Sequence, residues 1–150
     1  MKSWRLVTSK FQAHLPLWLA ALWWGSLTTL GFLVVPLLFV HLPTPALAGG
    51  MAAKLFAAQT WVSLACGMLM LVLIKKSQNL AADHASIAYP ATIFILVGLL
   101  LALLSEFAVA PRIVARENLR LWHGAGSAMY FLQWVCAGMA FAKLPNSSQR

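Results

Sequence analysis

The residues that could do chemistry are concentrated in one short stretch, residues 104–127. It holds two of the chain's three acidic residues, three arginines and one histidine: Glu106, Glu117, Arg112, Arg116, Arg120 and His123. Glu106 comes one turn before the end of an apolar run, where a carboxylate needs a partner, water or a function. We therefore expect Glu106 to be ionised and bonded to Arg112 or Arg120, with His123 close by.

The composition of the whole chain determines the environment of this stretch. Of the 150 residues, 61% are hydrophobic and 9% are charged, and the mean hydropathy is +0.80. Such a chain is too apolar for a soluble domain and indicates an integral membrane protein, with the lipid bilayer as its first partner. The net charge of +8 comes from basic residues at the ends of apolar runs, so we exclude nucleic acid as a partner.

Four apolar runs are each long enough to cross a bilayer. They predict an all-α fold, a four-transmembrane-helix bundle that forms a single domain over residues 1–150, with helices at about residues 15–40, 51–74, 87–110 and 121–142. The first run is too long for a cleavable signal sequence, so the N-terminus is expected to be retained. Pro16 suits the first turn of its helix. Residues 41–50 and 75–86 read as loops. Pro111 is expected to end the third helix and to begin a short helical connection.

The distribution of lysine and arginine predicts the orientation. Seven of the eleven lie at the termini and in the loop after the second helix, and four lie near the other two connections. Positive residues favour the cytoplasmic side. We therefore expect both termini in the cytoplasm and the protein in the cytoplasmic (plasma) membrane.

An up-and-down bundle brings scattered polar residues to one membrane face, expected to be the extracytoplasmic one, which we call the charged pole. The candidates for an ion pair or a ligand site near this pole are His41, Gln59, Glu106, Arg112, Arg120 and His123. Two interpretations stay open. Either these residues only satisfy one another, or they form a shallow site for a ligand or ion.

A polar band inside the second helix separates two function classes. Its residues are Gln59, Thr60 and Ser63, and Gln133 of the fourth helix faces the same level. Such groups are expected to face other helices, because lipid offers no hydrogen-bond partner. A carrier should leave a water-accessible path past this band, whereas a structural partner of another membrane protein should have it sealed by side-chain hydrogen bonds.

Small residues at helical spacing predict close contacts between helices. Ala21, Gly25 and Thr29 share one face of the first helix, and Gly124 and Ala128 share one face of the fourth. Neighbouring helices can approach closely along such faces.

Metal binding and catalysis receive little support from the sequence. His41 and His123, with Met51 or Met129, are weak candidates for copper(I) or haem, but no HxxxH or MxxM cluster is present. No cofactor is therefore expected. The sequence shows no nucleophile beside a base, no carboxylate pair and no phosphate-binding loop. We therefore do not expect the protein to be an enzyme. Cys66 and Cys136 are expected to stay unpaired, because the helix rise places them at different depths.

Four segments together resemble the transmembrane protein 205-like family, also known as domain of unknown function 4149: LWWGSLTTLGFLVVPLLFVHLP, ALAGGMAAKLF, EFAVAPRIVAR and LRLWHGAGS. The resemblance implies a four-helix membrane protein, here a bacterial member, with an animal relative associated with resistance to platinum drugs. The family pattern carries over to Gly25, Pro36, Phe39, Ala48, Gly49, Phe56, Pro111, Arg112, His123 and Gly124. Trp122 stands where leucine is frequent, and a frequent serine pair is reduced to Ser127.

The functions that remain are a carrier or binder in stress or metal tolerance, and a structural or assembly partner of another membrane protein. For the second function, the partner is either another copy of this chain, in a homo-oligomer, or a different membrane protein. Small copper-resistance membrane domains are similar to this family at a distance, which keeps the copper or haem alternative open.

Overall fold

A computed structural model describes the backbone of residues 2–80, 85–115 and 117–144, and the side chains of residues 14–77, 90–115 and 117–144. This part of the chain is helical almost throughout. Its α-helices are α1 (Lys2–Thr29), α2 (Val35–His41), α3 (Pro45–Leu80), α4 (Ala85–Leu104), α5 (Ala110–Val114) and α6 (Leu119–Lys143). A π-helical turn joins α1 to α2 at Leu30–Val34, and a second joins α4 to α5 at Ser105–Val109.

The helices combine into four spans that are long and apolar enough to cross a membrane: His14–His41, Pro45–Ser77, Pro90–Val114 and Leu119–Lys143. Consecutive spans run in opposite directions. The first span packs against the second and the fourth, and the third packs against the same two neighbours. The predicted all-α four-helix membrane bundle is confirmed.

The predicted loop over residues 41–50 is wrong, because α3 already begins at Pro45 and includes both glycines. Proline is favoured in the first turn of a helix, where its missing N–H is not needed. The hydroxyl of Thr44, just before it, accepts a 3.3 Å hydrogen bond from the backbone N–H of Leu47. A cap and a starting proline therefore outweigh the two glycines, and the connection shortens to residues 42–44.

Two other boundaries also move outward. The first helix begins at Lys2, so Pro16 lies inside α1 and not in its first turn. The second span is helical to Leu80, which includes half of the predicted loop at 75–86, while residues 81–84 lie outside the described part. Polar residues such as lysine and glutamine are good helix formers, so the end of an apolar run does not end the helix.

The hydrophobic core lies in the half of the bundle away from the charged pole. Its largest fully buried apolar side chains are Trp23, Leu27, Met70 and Ile95. Trp23 packs directly on Gly98 of the third span, where an added Cβ would lie 2.7 Å from the Cη2 atom of the indole. The absence of a side chain at Gly98 therefore makes room for the tryptophan.

The small-residue faces expected from the sequence are not where the helices of this chain meet. A Cβ added at Gly25 or at Gly124 would meet no atom within 4 Å. Gly124 and Ala128 are exposed, and Gly25 is half-buried. The expectation of close contact is therefore wrong at Gly25 and Gly124, which have open space beside them in the described part of the chain.

Both π-helical turns precede a proline at the same distance. The N–H of Val35 bonds to the carbonyl of Leu30, and that of Ala110 bonds to the carbonyl of Ser105, each five residues back. The next residue in each case is a proline, which lacks an N–H and would crowd an ordinary α-helical turn. One widened turn accommodates the ring, so Ala110 stays helical and the third span does not end at Pro111 as predicted. The short helical segment expected at Pro111 is present as α5.

Candidate functional site

A chain of hydrogen bonds crosses the middle of the bundle and joins three of the four spans. Gln133 of the fourth span donates its Nε2 to the hydroxyl of Ser63 on the second span over 3.1 Å. That hydroxyl donates to the carbonyl of Gln59 over 2.9 Å. Gln59 donates its own Nε2 to Ser26 on the first span over 2.9 Å, and Ser26 donates to the carbonyl of Trp23 over 2.9 Å. We call Ser26, Gln59, Ser63 and Gln133 the polar layer.

Three of the four side chains of the polar layer are buried, and Ser26 is half-buried. Ser63 is 0% exposed, Gln133 4% and Gln59 8%. The neighbouring Thr60 is also buried and bonds to the carbonyl of Phe56 in its own helix over 3.2 Å. The prediction that this band faces other helices is confirmed, and the observed arrangement is the one expected of a sealed band.

A second set of bonds and ring contacts fastens the fourth span to the first. The hydroxyl of Tyr130 donates to the carbonyl of Leu27 over 2.8 Å. The indole N–H of Trp134 donates to the hydroxyl of Thr28 over 2.9 Å, and its ring centroid lies 5.9 Å from that of Trp24. Sequence analysis did not identify these contacts, although Tyr130 and Trp134 sit one helical turn apart on one face.

The charged pole is an open surface. His41, Lys54, Arg112, Arg120 and His123 are all exposed, at the ends of the spans where the sequence places them. Gln59 does not belong to this surface, because it is buried in the polar layer. Arg116 lies outside the described residues. The pole is therefore a surface of mainly positive charge above a sealed interior.

The expected ion pair of Glu106 is not formed with either described arginine. The guanidinium carbon of Arg112 lies 4.3 Å from the ring centroid of Trp122, a cation–π contact between the third and fourth spans. Arg120 is exposed. The half-buried carboxylate of Glu106 has no hydrogen bond or ion pair with any described residue. Arg112, one of the two arginines expected to pair with Glu106, therefore contacts an aromatic ring instead.

The π-helical turn that carries Glu106 also contains an unpaired hydroxyl. The Oγ atom of Ser105 is buried and has no hydrogen-bond partner among the described residues. Buried polar atoms are usually hydrogen-bonded, so leaving this hydroxyl without a partner lowers the stability of the fold. The turn therefore holds two polar side chains that the described part of the bundle does not satisfy.

The sequence matches the family described as Domain of unknown function (DUF4149) over residues 18–122, more than two thirds of the chain. The chain belongs to this family. No curated protein and no solved structure matches it.

The DUF4149 match includes most of the polar layer. Ser26, Gln59 and Ser63 lie within residues 18–122, as does the third span with Glu106. Gln133, which completes the layer, lies beyond the matched segment. The matched segment therefore contains the two serine hydroxyls that accept hydrogen bonds, Ser26 and Ser63. The amide of Gln133, which donates to Ser63, lies outside it.

The two histidines considered for metal binding are not grouped with a third His, Cys, Asp or Glu in the described part of the chain. The Nδ1 of His41 donates to the carbonyl of Leu37 in its own helix over 3.0 Å. His123 is exposed. Within the described ranges, no three His, Cys, Asp or Glu residues are grouped as metal ligands would be. Cys66 and Cys136 are buried free thiols, as predicted.

Proposed function

We propose that this DUF4149 protein is a structural or assembly component of a membrane, without catalysis and without a transport path through its bundle. The observation that carries the proposal is the sealed polar layer. It lies near the middle of the second and fourth spans, so a solute that crossed the bundle would have to break it. Its hydrogen bonds join three spans and fix their register.

The outer surface supports the same proposal. Large apolar side chains point away from the bundle on all four spans, among them Trp18, Trp61, Phe107 and Phe131. Such a surface suits contact with lipid or with the spans of another membrane protein. The carrier, copper and haem alternatives, the link to stress or metal tolerance and the transmembrane protein 205-like relationship remain predictions from the sequence.

The proposal is tested by the accessibility of single cysteines to a membrane-impermeant maleimide. The background carries Cys66→Ala and Cys136→Ala, which remove the native thiols. Ser63→Cys places a thiol in the polar layer, and Lys54→Cys places a matched thiol on the exposed end of the same helix. We expect rapid labelling at position 54 and none at position 63 in intact membranes.

Labelling of the cysteine at position 63 at a rate close to that at position 54 would contradict the proposal, since it requires an aqueous path to mid-membrane. Purification from native membranes adds an independent measurement. A visible haem spectrum, or copper bound in a one-to-one ratio, would favour the binder alternative. We expect neither.

A further inference from the structure

A shallow groove of about 590 Å³ runs along the outer face of the fourth span. It is lined by Asn118, Arg120, Leu121, Gly124, Ala125 and Ala128. All of these residues are exposed except Ala125, which is half-buried. The groove is open at its floor, because a Cβ at Gly124 would meet no atom within 4 Å. No described segment of the chain covers it.

The groove extends from the membrane surface towards the membrane interior. Its polar end is at Asn118 and Arg120, where the fourth span begins. Ala128 lies eight residues further along the helix, about 12 Å deeper at 1.5 Å per residue. That depth is in the upper part of the hydrocarbon region. The groove is therefore charged at headgroup level and apolar at acyl-chain level.

The charge at its mouth is positive and unpaired. Arg120 forms no ion pair with any described residue, and Lys54 and Arg112 add two more exposed cations at the same pole. The acidic residues described at this pole are Glu106 and Glu117. The excess of positive charge favours an anion at the surface, and a guanidinium can hold a phosphate group with two parallel hydrogen bonds.

We propose that this groove binds one anionic phospholipid. Its phosphate pairs with the guanidinium of Arg120, and one acyl chain lies over Gly124 towards Ala128, where the absence of large side chains leaves room. A second copy of the chain fits less well. In a two-fold contact the same face meets itself, and Arg120 lies four residues from Gly124 on that face, so the two arginines would repel each other.

The test is native mass spectrometry of the full chain in detergent with added phosphatidylglycerol or phosphatidylcholine of the same acyl chains. Two variants alter the groove: Arg120→Gln removes the charge, and Gly124→Leu fills the floor. Two matched controls lie elsewhere. Lys143→Gln removes an exposed cation at the opposite pole. Gly25→Leu alters a half-buried glycine of the first span where an added Cβ would likewise meet no atom within 4 Å.

We expect one phosphatidylglycerol per chain, bound more tightly than phosphatidylcholine. One cation near an anionic headgroup contributes about 1 kcal/mol, so Arg120→Gln should weaken binding about fivefold. Gly124→Leu should weaken it at least as much. Both control variants should bind like the unaltered protein, and the thermal stability of the Gly124→Leu and Gly25→Leu variants should agree.

Four outcomes would overturn the proposal. Equal binding of the two lipids would show that the headgroup charge does not matter. An equal loss in Lys143→Gln would show only general electrostatic attraction. A dimer that is present in the unaltered protein and lost in Gly124→Leu would assign the groove to a second copy. Displacement of the lipid by millimolar inorganic phosphate would show an anion site without a role for the acyl chain.

Discussion

The hydrogen bond between Gln133 and Ser63 should be the most sensitive element of the polar layer. Ser63→Ala removes the acceptor of the Gln133 amide over 3.1 Å. At 4% exposure, Gln133 cannot turn to water instead. The carbonyl of Gln59 loses one of its bonds but lies in an intact helix. The cost of Ser63→Ala is therefore mainly that of one buried amide left without its acceptor.

Two scales bound the size of this effect. An unsatisfied buried group costs about 1–3 kcal/mol in soluble proteins. Hydrogen bonds between membrane helices contribute less, on average about 0.6 and at most about 1.7 kcal/mol. Because Gln133 is almost fully buried, we expect Ser63→Ala to lower the free energy of unfolding by about 1–2 kcal/mol. Gln133→Leu removes the amide along with its need for a partner, so its cost should be smaller.

The assay is a double-mutant cycle in mixed micelles of mild detergent and dodecyl sulfate. The double variant Ser63→Ala with Gln133→Leu should be about as stable as Gln133→Leu alone, which gives a coupling energy of about 1 kcal/mol or more. Thr60→Val is the matched control. It is buried on the same helix, but its hydroxyl bonds only within that helix, so it should cost little. Additive single effects would refute the reasoning.

The remaining predictions concern packing and unpaired groups. Gly98→Ala should destabilise the protein by about 1–3 kcal/mol, because its Cβ would collide with a buried indole ring. Gly25→Ala should be neutral or stabilising by up to about 1 kcal/mol. Equal shifts of the melting temperature for the two variants would contradict this prediction. Ser105→Ala should leave the melting temperature unchanged or raise it, because the lost hydroxyl is buried without a partner. Tyr130→Phe should cost about 0.5–1.5 kcal/mol in the same unfolding assay through the lost bond to Leu27, and no loss would show that the bond is not maintained.

The fold was predictable because a bilayer imposes its thickness on the sequence. Four long apolar runs allow only four spanning helices. The ends of the helices were not predictable from the same signal. Helix α3 begins at Pro45, although the neighbouring glycines indicated a loop. It continues to Leu80 through residues that are polar but are good helix formers. Hydropathy marks where the membrane ends, and not where the helix ends.

The candidate site was predictable in its buried part and not in its charged part. Gln59 and Ser63 had to find partners, because lipid supplies none. Their partner Ser26 could not be foreseen, since serine in a membrane helix normally bonds to its own backbone, and here it also accepts a second bond. At the pole, Arg112 could contact either the carboxylate of Glu106 or the ring of Trp122. The sequence gives no relative geometry that would decide between them.

The two π-helical turns lie at corresponding positions of the first and third spans. Pro36 and Pro111 are 75 residues apart, and the same separation relates Phe32 to Phe107. It also relates Trp23 to Gly98, which pack against each other. The first and third spans therefore carry the same order of phenylalanine, π-helical turn and proline.

The second and fourth spans carry a glutamine pair at nearly the same separation. Gln59 and Gln133 are 74 residues apart and both buried. Gln59 bonds to Ser26 in its own hairpin. In the other hairpin, the residue 75 positions after Ser26 is Leu101, whose side chain cannot accept a hydrogen bond. Gln133 bonds instead to Ser63 on the second span, so a single network joins the first, second and fourth spans.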